Sequence, residues 1–448
     1  MTPTNKKPQL IDGPVGKILL NLTVPMIFGM VGMVAFNLVD TFFVGQLGTQ
    51  ELAALSFTFP IIMVIGSLAM GIGTGASAVI SKAIGRGDHH KVKRLTTDSL
   101  ILSFLLVAFF VAFGILTIEP LFSLLGAEPD ILPLIREYMV IWYPGVLFVI
   151  LPMVGNNAIR ATGDTKTPSA IMLVAVVVNI VLDPLLIFGL GPFPMLGLAG
   201  AAIATVFARA ITLVVALWVL YYRDRMITLE LPALKELIDS WKSILYIGLP
   251  VAGTRLLIPI SMGVIYALVA SYGHEAVAAF GVGIRIEFLA MTVVFALSTV
   301  IGPFVGQNWG ARRFDRVVQG VRYSNIFSLA WGVAMFTMLA LAARPIASLF
   351  NDDPQVISII MLFLWIVPLG YALFGVFLIS TMILNILNKP LPSAILMVIQ
   401  MVGLYIPLAY VGSYLFGLPG IFAAIVLAYS LSGIASYFVL KRVLAIGG

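Results

Sequence analysis

Long uninterrupted apolar runs limit what this chain can fold into more than any other feature. Runs of about 18 or more residues recur along all 448 positions, and each can cross a hydrocarbon core about 30 Å thick. Only 10% of the residues are charged, against roughly 25% in a soluble domain. The runs are continuous rather than alternating, which excludes barrel strands. The sequence therefore predicts an all-α polytopic membrane protein.

Twelve transmembrane helices are predicted from these runs. They fall at residues 17–45, 52–80, 96–118, 132–158, 168–190, 197–221, 243–270, 277–303, 320–342, 356–383, 392–414 and 418–440. Basic residues gather in alternate connections, such as Lys91 and Lys93 after the second span and Arg312 and Arg313 after the eighth. Because positive loops stay in the cytoplasm, both termini are expected there, with the chain in the cell's inner membrane.

The two halves of the chain are related by an internal repeat. A shift of 225 residues places Pro25 on Pro250 and Gly48 on Gly273. Each half holds an even number of spans, so the halves share one orientation, as in parallel-repeat transporters. The sequence predicts two six-helix bundles related by this repeat and working by alternating access.

The predicted halves are joined by a polar segment. We expect an N-terminal lobe at 1–222 and a C-terminal lobe at 243–448. Residues 223–242 mix charged side chains with Leu234 and Trp241 at helical spacing, which predicts an amphipathic linker helix on the cytoplasmic surface. A regulatory or partner-binding helix is the alternative.

One face of the first span carries candidate binding residues. Spacings of 4, 3, 4 and 3 place on that face Met26, Met30, Met33, Asn37 and Asp40. Methionine is adaptable enough to line a wall that contacts many apolar ligands, so these five residues are predicted to bind substrate. A helix-packing seam with an acid near the water boundary is the alternative.

The fifth span repeats the pattern of an amide followed by an acid. Asn179 and Asp183 lie four residues apart, on one helical face. Because a low-dielectric environment disfavours charged carboxylates, Asp40 and Asp183 with the amides of Asn37 and Asn179 are predicted to load and release a proton. The same oxygens could bind Na⁺ instead.

The second half lacks this polar group of residues. At a shift of 225, Asp40 and Asn37 match Ile265 and Met262. At a shift of 224, Asp183 and Asn179 match Pro407 and Gly403. Polar side chains that served the shared scaffold would be expected in both halves. Because they occur in the first half alone, we assign cation coupling to that half. Pro25, fifteen residues before Asp40, removes a backbone hydrogen bond and permits a kink, which predicts a hinge or, alternatively, a purely structural proline.

Other features predict packing or are excluded. Residues 71–75, GIGTG, lie inside a span and indicate close helix contact rather than a phosphate loop. Glu287 is expected to pair with Arg255 or Arg209. The chain has no cysteine, which excludes thiolate metal sites, and no other metal site is predicted. Its +6 charge lies in short loops and indicates topology, not nucleic-acid binding.

Three segments resemble a known family. They are FNLVDTFFVGQLGTQELAA in span one, VVVNIVLDPLLIFG in span five and AIRATGDTKTPSA at 158–170. With twelve spans in two parallel halves, the chain resembles the multidrug and toxic compound extrusion family, and within it the DinF-like branch. The resemblance implies that a first-half network couples a cation, comprising Asp40, Asn179, Asp183, Tyr138 and Asn156. It also implies a hinge at Pro25.

The sequence as a whole predicts a secondary antiporter without enzyme chemistry or a cofactor. It would export amphipathic, often cationic, organic compounds and drugs in exchange for protons, as a monomer in the lipid bilayer. One alternative is a sodium-coupled drug antiporter with Na⁺ at Asp40 and Asp183. Another is a lipid-linked precursor flippase, in which Arg209, Arg255 and Arg285 would meet a pyrophosphate.

Overall fold

The computed structural model describes residues 10–447, which are helical apart from short connections. The α-helices are α1 (Val15–Gly45), α2 (Thr49–Gly85), α3 (His89–Leu124), α4 (Leu132–Ala161), α5 (Lys166–Ile187), α6 (Gly197–Trp218), α7 (Leu234–Ala270), α8 (His274–Gly310), α9 (Phe314–Leu341), α10 (Ala343–Ser348), α11 (Pro354–Ile366), α12 (Tyr371–Ile386), α13 (Pro390–Val398), α14 (Ile406–Phe416) and α15 (Leu418–Gly447). Two π-helical segments, Val219–Arg223 and Ile399–Tyr405, and a 3₁₀ turn, Val367–Gly370, continue neighbouring helices.

Twelve segments of the described chain are long and apolar enough to cross a membrane, which confirms the predicted number. Two spans of the second half are composite. Pro354–Ile386 joins α11 to α12 through the 3₁₀ turn, and Pro390–Phe416 joins α13 to α14 through a π-helical segment.

The internal repeat is visible in the helix bounds. Helices α2 and α8 both have 37 residues, and both ends of α8 lie 225 positions after those of α2. Each begins after a glycine with positive φ, 155° at Gly48 and 104° at Gly273. Side chains strongly disfavour this region of backbone space, so the repeated glycines let both helices start directly after a tight turn.

The first compact unit contains Val24–Ala252. Helix α4 packs against α2, α3 and α6, and α5 packs against α6. Helix α2 approaches the first half of α7 so closely that a Cβ at Gly71 would collide with the Gly248 carbonyl oxygen, and one at Gly75 with that of Ile244. The glycine-rich stretch is therefore a helix-packing surface, as predicted.

The second compact unit contains Leu10–Thr23 and Gly253–Gly448. Helix α12 packs against α8, α9 and α15, and α14 packs against α15. The N-terminal stretch is held by hydrogen bonds, 3.0 Å from Asn308 Nδ2 to the Leu10 carbonyl and 2.8 Å from Arg316 Nη1 to the Gly13 carbonyl. These units divide the chain differently from the lobes expected at 1–222 and 243–448.

The linker also differs from the expectation of a separate amphipathic helix at 223–242. Residues 225–233 are not helical, and α7 runs from Leu234 into the seventh span without a break. The helical spacing of Leu234 and Trp241 therefore belongs to the first turns of a membrane helix. No proline interrupts the sequence between Leu234 and Pro250, so the helix has no reason to stop at the membrane surface.

The non-helical part of the linker is held against the start of α3. Arg94 Nη1 donates to the Glu230 carbonyl at 3.0 Å, and the Thr228 N–H donates to the Thr97 hydroxyl at 3.0 Å. Arg94 also forms a buried ion pair with Asp98. These contacts satisfy the backbone of a segment that has no helical hydrogen bonds of its own.

Candidate functional site

The fifth span contributes a buried carboxylate and amide. Asp183 and Asn179, one turn apart on α5, are both fully buried. Asn179 Nδ2 donates to Asp183 Oδ1 at 2.9 Å. Asp183 Oδ2 and Asn179 Oδ1 are buried and have no hydrogen-bond partner among the described residues. Since a buried polar atom without a partner is costly, these two oxygens are acceptors available to a proton or a cation.

Helix α1 contributes a second carboxylate, Asp40, which interacts with Asp183. Asp40 is partly exposed, but its Oδ1 is buried and accepts no hydrogen bond from the residues that the structure describes. Asp40 interacts electrostatically with Asp183, and the buried Tyr138 on α4 interacts with both acids. The structure therefore assembles Asp40, Asp183, Asn179 and Tyr138 from three helices of the first unit.

Two other residues predicted to belong to this cluster, Asn156 and Asn37, are not joined to it by hydrogen bonds in the described residues. Asn156 on α4 is 7% exposed, and its Oδ1 has no partner in the described chain. The side chain of Asn37 is exposed, and its backbone carbonyl accepts a 2.8 Å hydrogen bond from Thr41. Neither residue makes a hydrogen bond to the two acids within residues 10–447, so their role stays a prediction.

The methionines of α1 have different surroundings. Met26 is buried against α5, where the Ser169 hydroxyl lies 3.9 Å from its sulfur. Met30 is partly exposed, and Met33 Sδ lies 3.5 Å from Arg209 Nη2. Met26 thus contributes to helix packing, whereas Met30 and Met33 retain accessible surface.

The predicted hinge lies inside a continuous helix. Pro25 is ten residues from the start of α1, and the helix continues through it to Gly45. It lies close to Val24, where the first compact unit begins. Bending at Pro25 remains a prediction.

Sequence reasoning gave Glu287 the wrong partner. Its Oε1 accepts a 2.7 Å hydrogen bond from the Tyr429 hydroxyl, not from Arg255 or Arg209. Tyr429 stacks on Phe374 with ring centroids 4.1 Å apart, which holds its hydroxyl beside the acid. The glutamate on α8 and the tyrosine on α15 are 142 positions apart, so no local spacing could have revealed the pair.

The second unit therefore has its own buried polar residues. Glu287 Oε2, the Tyr371 hydroxyl and both side-chain polar atoms of Gln400 are buried without hydrogen-bond partners in the described residues. Gln400 lies in the π-helical segment Ile399–Tyr405, and such segments are frequent at functional positions. None of these residues matches a member of the first-half cluster under the repeat.

The sequence had offered Arg209 as a partner of Glu287 or as a pyrophosphate contact, and the structure gives it other neighbours, in the first unit. This α6 residue places its guanidinium 4.6 Å from the centroid of the Phe36 ring and interacts electrostatically with Asp40. A charged residue in the middle of an apolar span was the available signal.

Comparisons with known proteins agree with this architecture. The MatE family model matches residues 25–185 and 250–411, once in each half. An FAD transporter of Shewanella oneidensis is 41% identical over 97% of this chain and 96% of its own, and the probable multidrug resistance protein YoeA of Bacillus subtilis is 28% identical over 87% and 85%. The crystal structure of the Vibrio cholerae MATE transporter VcmN in the bent form superposes with a TM-score of 0.92 at 30% identity, covering 97% of this chain and 98% of that one. With twelve apolar spans and a family match in both halves, the chain belongs to the multidrug and toxic compound extrusion (MATE) family of membrane transporters.

Proposed function

We propose that the protein is a secondary antiporter that exports amphipathic organic compounds across the inner membrane in exchange for protons. Both termini lie in the cytoplasm, and transport proceeds by alternating access. Membership of the MATE family and relatives described as multidrug resistance proteins support the general activity. Proton coupling rests on the acids of the first unit.

One observation carries the coupling proposal. Asp40 Oδ1 and Asp183 Oδ2 are buried carboxylate oxygens without hydrogen-bond partners in the described chain, and the two acids interact electrostatically. Two carboxylates near each other in a low-dielectric environment cannot both remain charged cheaply, so the pair gains from binding a proton or a cation. Protonation removes the charge that attracts a cationic substrate, which makes the proton and the substrate mutually exclusive ligands.

Pro25 is proposed to convert protonation of the acids into bending of α1. It shares α1 with Asp40, and it leaves one carbonyl in the helix without its hydrogen bond. The VcmN relative has been crystallised in a form described as bent, which supports bending as part of the cycle.

The test is drug exchange in proteoliposomes made with Asp40→Asn. We expect the variant to fold and to lose proton-driven exchange, because the neutral side chain cannot release a proton. Asp130→Asn is the matched control, since Asp130 is an exposed acid in a connection of the same unit. Exchange at the wild-type rate by Asp40→Asn would refute the proposal, and exchange driven by a sodium gradient alone would replace H⁺ with Na⁺.

A second candidate substrate is a flavin nucleotide. The FAD transporter of Shewanella oneidensis is 41% identical to this chain over nearly its whole length. Flavin uptake into inside-out vesicles, measured beside that of a cationic dye, separates the two candidates. Uptake of FAD without uptake of the dye would favour nucleotide export.

A further inference from the structure

Arg209 is a charged residue deep in an apolar span. It is the thirteenth of the 27 residues in the candidate span Gly197–Arg223. Placing an arginine at the centre of a membrane helix is unfavourable unless its charge is compensated. Such a residue needs either a fixed partner or a ligand.

The guanidinium has few fixed partners. Of the five N–H donors of an arginine, one meets an acceptor within residues 10–447, the thioether of Met33, at 3.5 Å. Its Nε is buried and has no hydrogen-bond partner among the described residues. The Phe36 ring, 4.6 Å away, supports the cation through its face and accepts no conventional hydrogen bond.

Two arginines near helix ends are better satisfied. Arg94 donates to the Asp98 carboxylate and the Glu230 carbonyl. Arg223 donates to Asp164, Thr167 and Asp224. Arg209 thus differs from these arginines in lying at mid-span with most of its donors free.

Asp40 is not the missing partner. The two residues interact electrostatically, but no ion pair with N···O within 4 Å joins them in the part of the chain that the structure describes. Asp40 Oδ1, moreover, remains buried without a hydrogen bond. The first unit therefore holds a cation and an anion that influence each other and are both free to bind a ligand.

We propose that Arg209 binds the anionic group of a transported compound, a phosphate or carboxylate carried by a flat organic molecule. Phe36 and Met33 orient the guanidinium, and its remaining donors form charge-assisted hydrogen bonds to the anion. The inference rests on the proposed transport function and develops its second candidate substrate, a flavin nucleotide, whose anionic group does not compete with a proton at Asp40. Because the charge of Asp40 opposes an anion at this position, neutralising Asp40 strengthens anion binding, whereas it weakens binding of a cation.

Equilibrium dialysis of two flavins against the purified, detergent-solubilised protein tests the proposal. FAD and riboflavin share one ring system, but only FAD carries phosphates. We expect Arg209→Gln to weaken FAD binding by about tenfold or more, the effect of losing charge-assisted hydrogen bonds. Riboflavin binding stays unchanged, and Asp40→Asn strengthens binding of FAD alone.

Three controls make each outcome decisive. Arg136→Gln removes an arginine of the same unit whose side chain is 60% exposed, and it should leave FAD binding unchanged. Arg209→Lys keeps the charge and should retain more FAD affinity than Arg209→Gln, which separates binding from folding. Mixed micelles containing phosphatidic acid distinguish a soluble anion from a lipid phosphate.

The proposal is overturned if wild type binds no FAD, or if Arg209→Gln weakens both flavins equally or neither. Displacement of FAD by phosphatidic acid would assign the guanidinium to lipid headgroups and would also overturn it. These binding results are independent of exchange in proteoliposomes. Loss of proton-driven exchange with FAD binding intact would therefore count against the antiport proposal and not against Arg209.

Discussion

At the residue scale, Asp164 shows how one carboxylate joins the ends of three helices. It lies between α4 and α5 and accepts hydrogen bonds from the Thr167 N–H at 3.0 Å and the Thr167 hydroxyl at 2.6 Å. Arg223, at the end of the π-helical segment that continues α6, donates to the same carboxylate at 2.7 Å. Burial alone would raise the pKa of Asp164, but these hydrogen bonds and the charge of Arg223 hold that pKa below its usual value.

The lowered pKa of Asp164 predicts a pH-dependent contribution to stability. A carboxyl group with a depressed folded-state pKa stabilises the fold above its unfolded pKa, about 3.9, and this contribution is lost as the pH falls through the folded value. We expect Asp164→Asn to lower the free energy of unfolding by about 1 kcal/mol at pH 7. Thermal unfolding in detergent from pH 7 to pH 3 should show the difference from wild type shrinking at the acid end. A difference that does not vary with pH would contradict this account.

At the element scale, glycines set how closely helices approach. Gly71 and Gly75 of α2 lie against backbone carbonyls in the first half of α7, and Gly412 of α14 meets Gly420 of α15 in the same manner. In a membrane the hydrophobic effect does not drive helix association, so close backbone contact contributes much of the packing energy. A methyl group at such a position meets a main-chain atom that cannot move aside.

Replacing either of two glycines of α2 by alanine should affect the stability of the protein differently. A Cβ at Gly75 would collide with the Ile244 carbonyl oxygen, whereas one at Gly66 has no atom within 4 Å. We expect Gly75→Ala to destabilise the protein by about 1–3 kcal/mol through overpacking. Gly66→Ala should be neutral or stabilise it by up to about 1 kcal/mol through helix propensity. Thermal midpoints in one detergent measure both, and equal shifts would refute the packing role of Gly75.

At the scale of the whole molecule, the repeat gives one pattern of helices to two units with different buried polar groups. The first unit holds Asp40 and Asp183 with unpartnered oxygens, and the second holds Glu287 bound to Tyr429. A duplicated scaffold that retains its glycines and helix bounds is thus free to specialise one half. We propose that coupling remains in the first unit.

The absence of cysteine allows a direct test of topology. Single cysteines can be introduced without background in a chain that has none. We expect a membrane-impermeant maleimide to label His90→Cys only from the cytoplasmic side and Glu128→Cys only from outside, since His90 is exposed in the first turn of α3 and Glu128 is exposed in the connection after that helix. The unsubstituted protein is the control. Labelling of both positions from the same side would reject the proposed orientation.

The sequence alone predicted the elements that depend on local composition. Twelve spans follow from apolar run lengths, because the bilayer demands about 20 consecutive apolar residues wherever a helix crosses it. The internal repeat could be recognised in the sequence because glycines that adopt positive φ, or that lie in close helix contacts, tolerate little substitution. Asp40, Asn179 and Asp183 stood out because charged and amide groups are rare in such a composition, and the structure brings Asp40 and Asp183 into electrostatic contact.

Only the tertiary structure decided which side chains meet. Helical spacing relates residues three or four positions apart, whereas the bonds from Tyr429 to Glu287 and from Arg94 to Glu230 join residues more than a hundred positions apart. The same limit made Arg209 a possible partner of Glu287, since its actual neighbours depend on what surrounds it in space. Composition and the internal repeat determined that the chain is a duplicated polytopic membrane protein, and the family match identified it as a transporter. The packing of its helices determined which buried charges have partners and which remain available to a ligand.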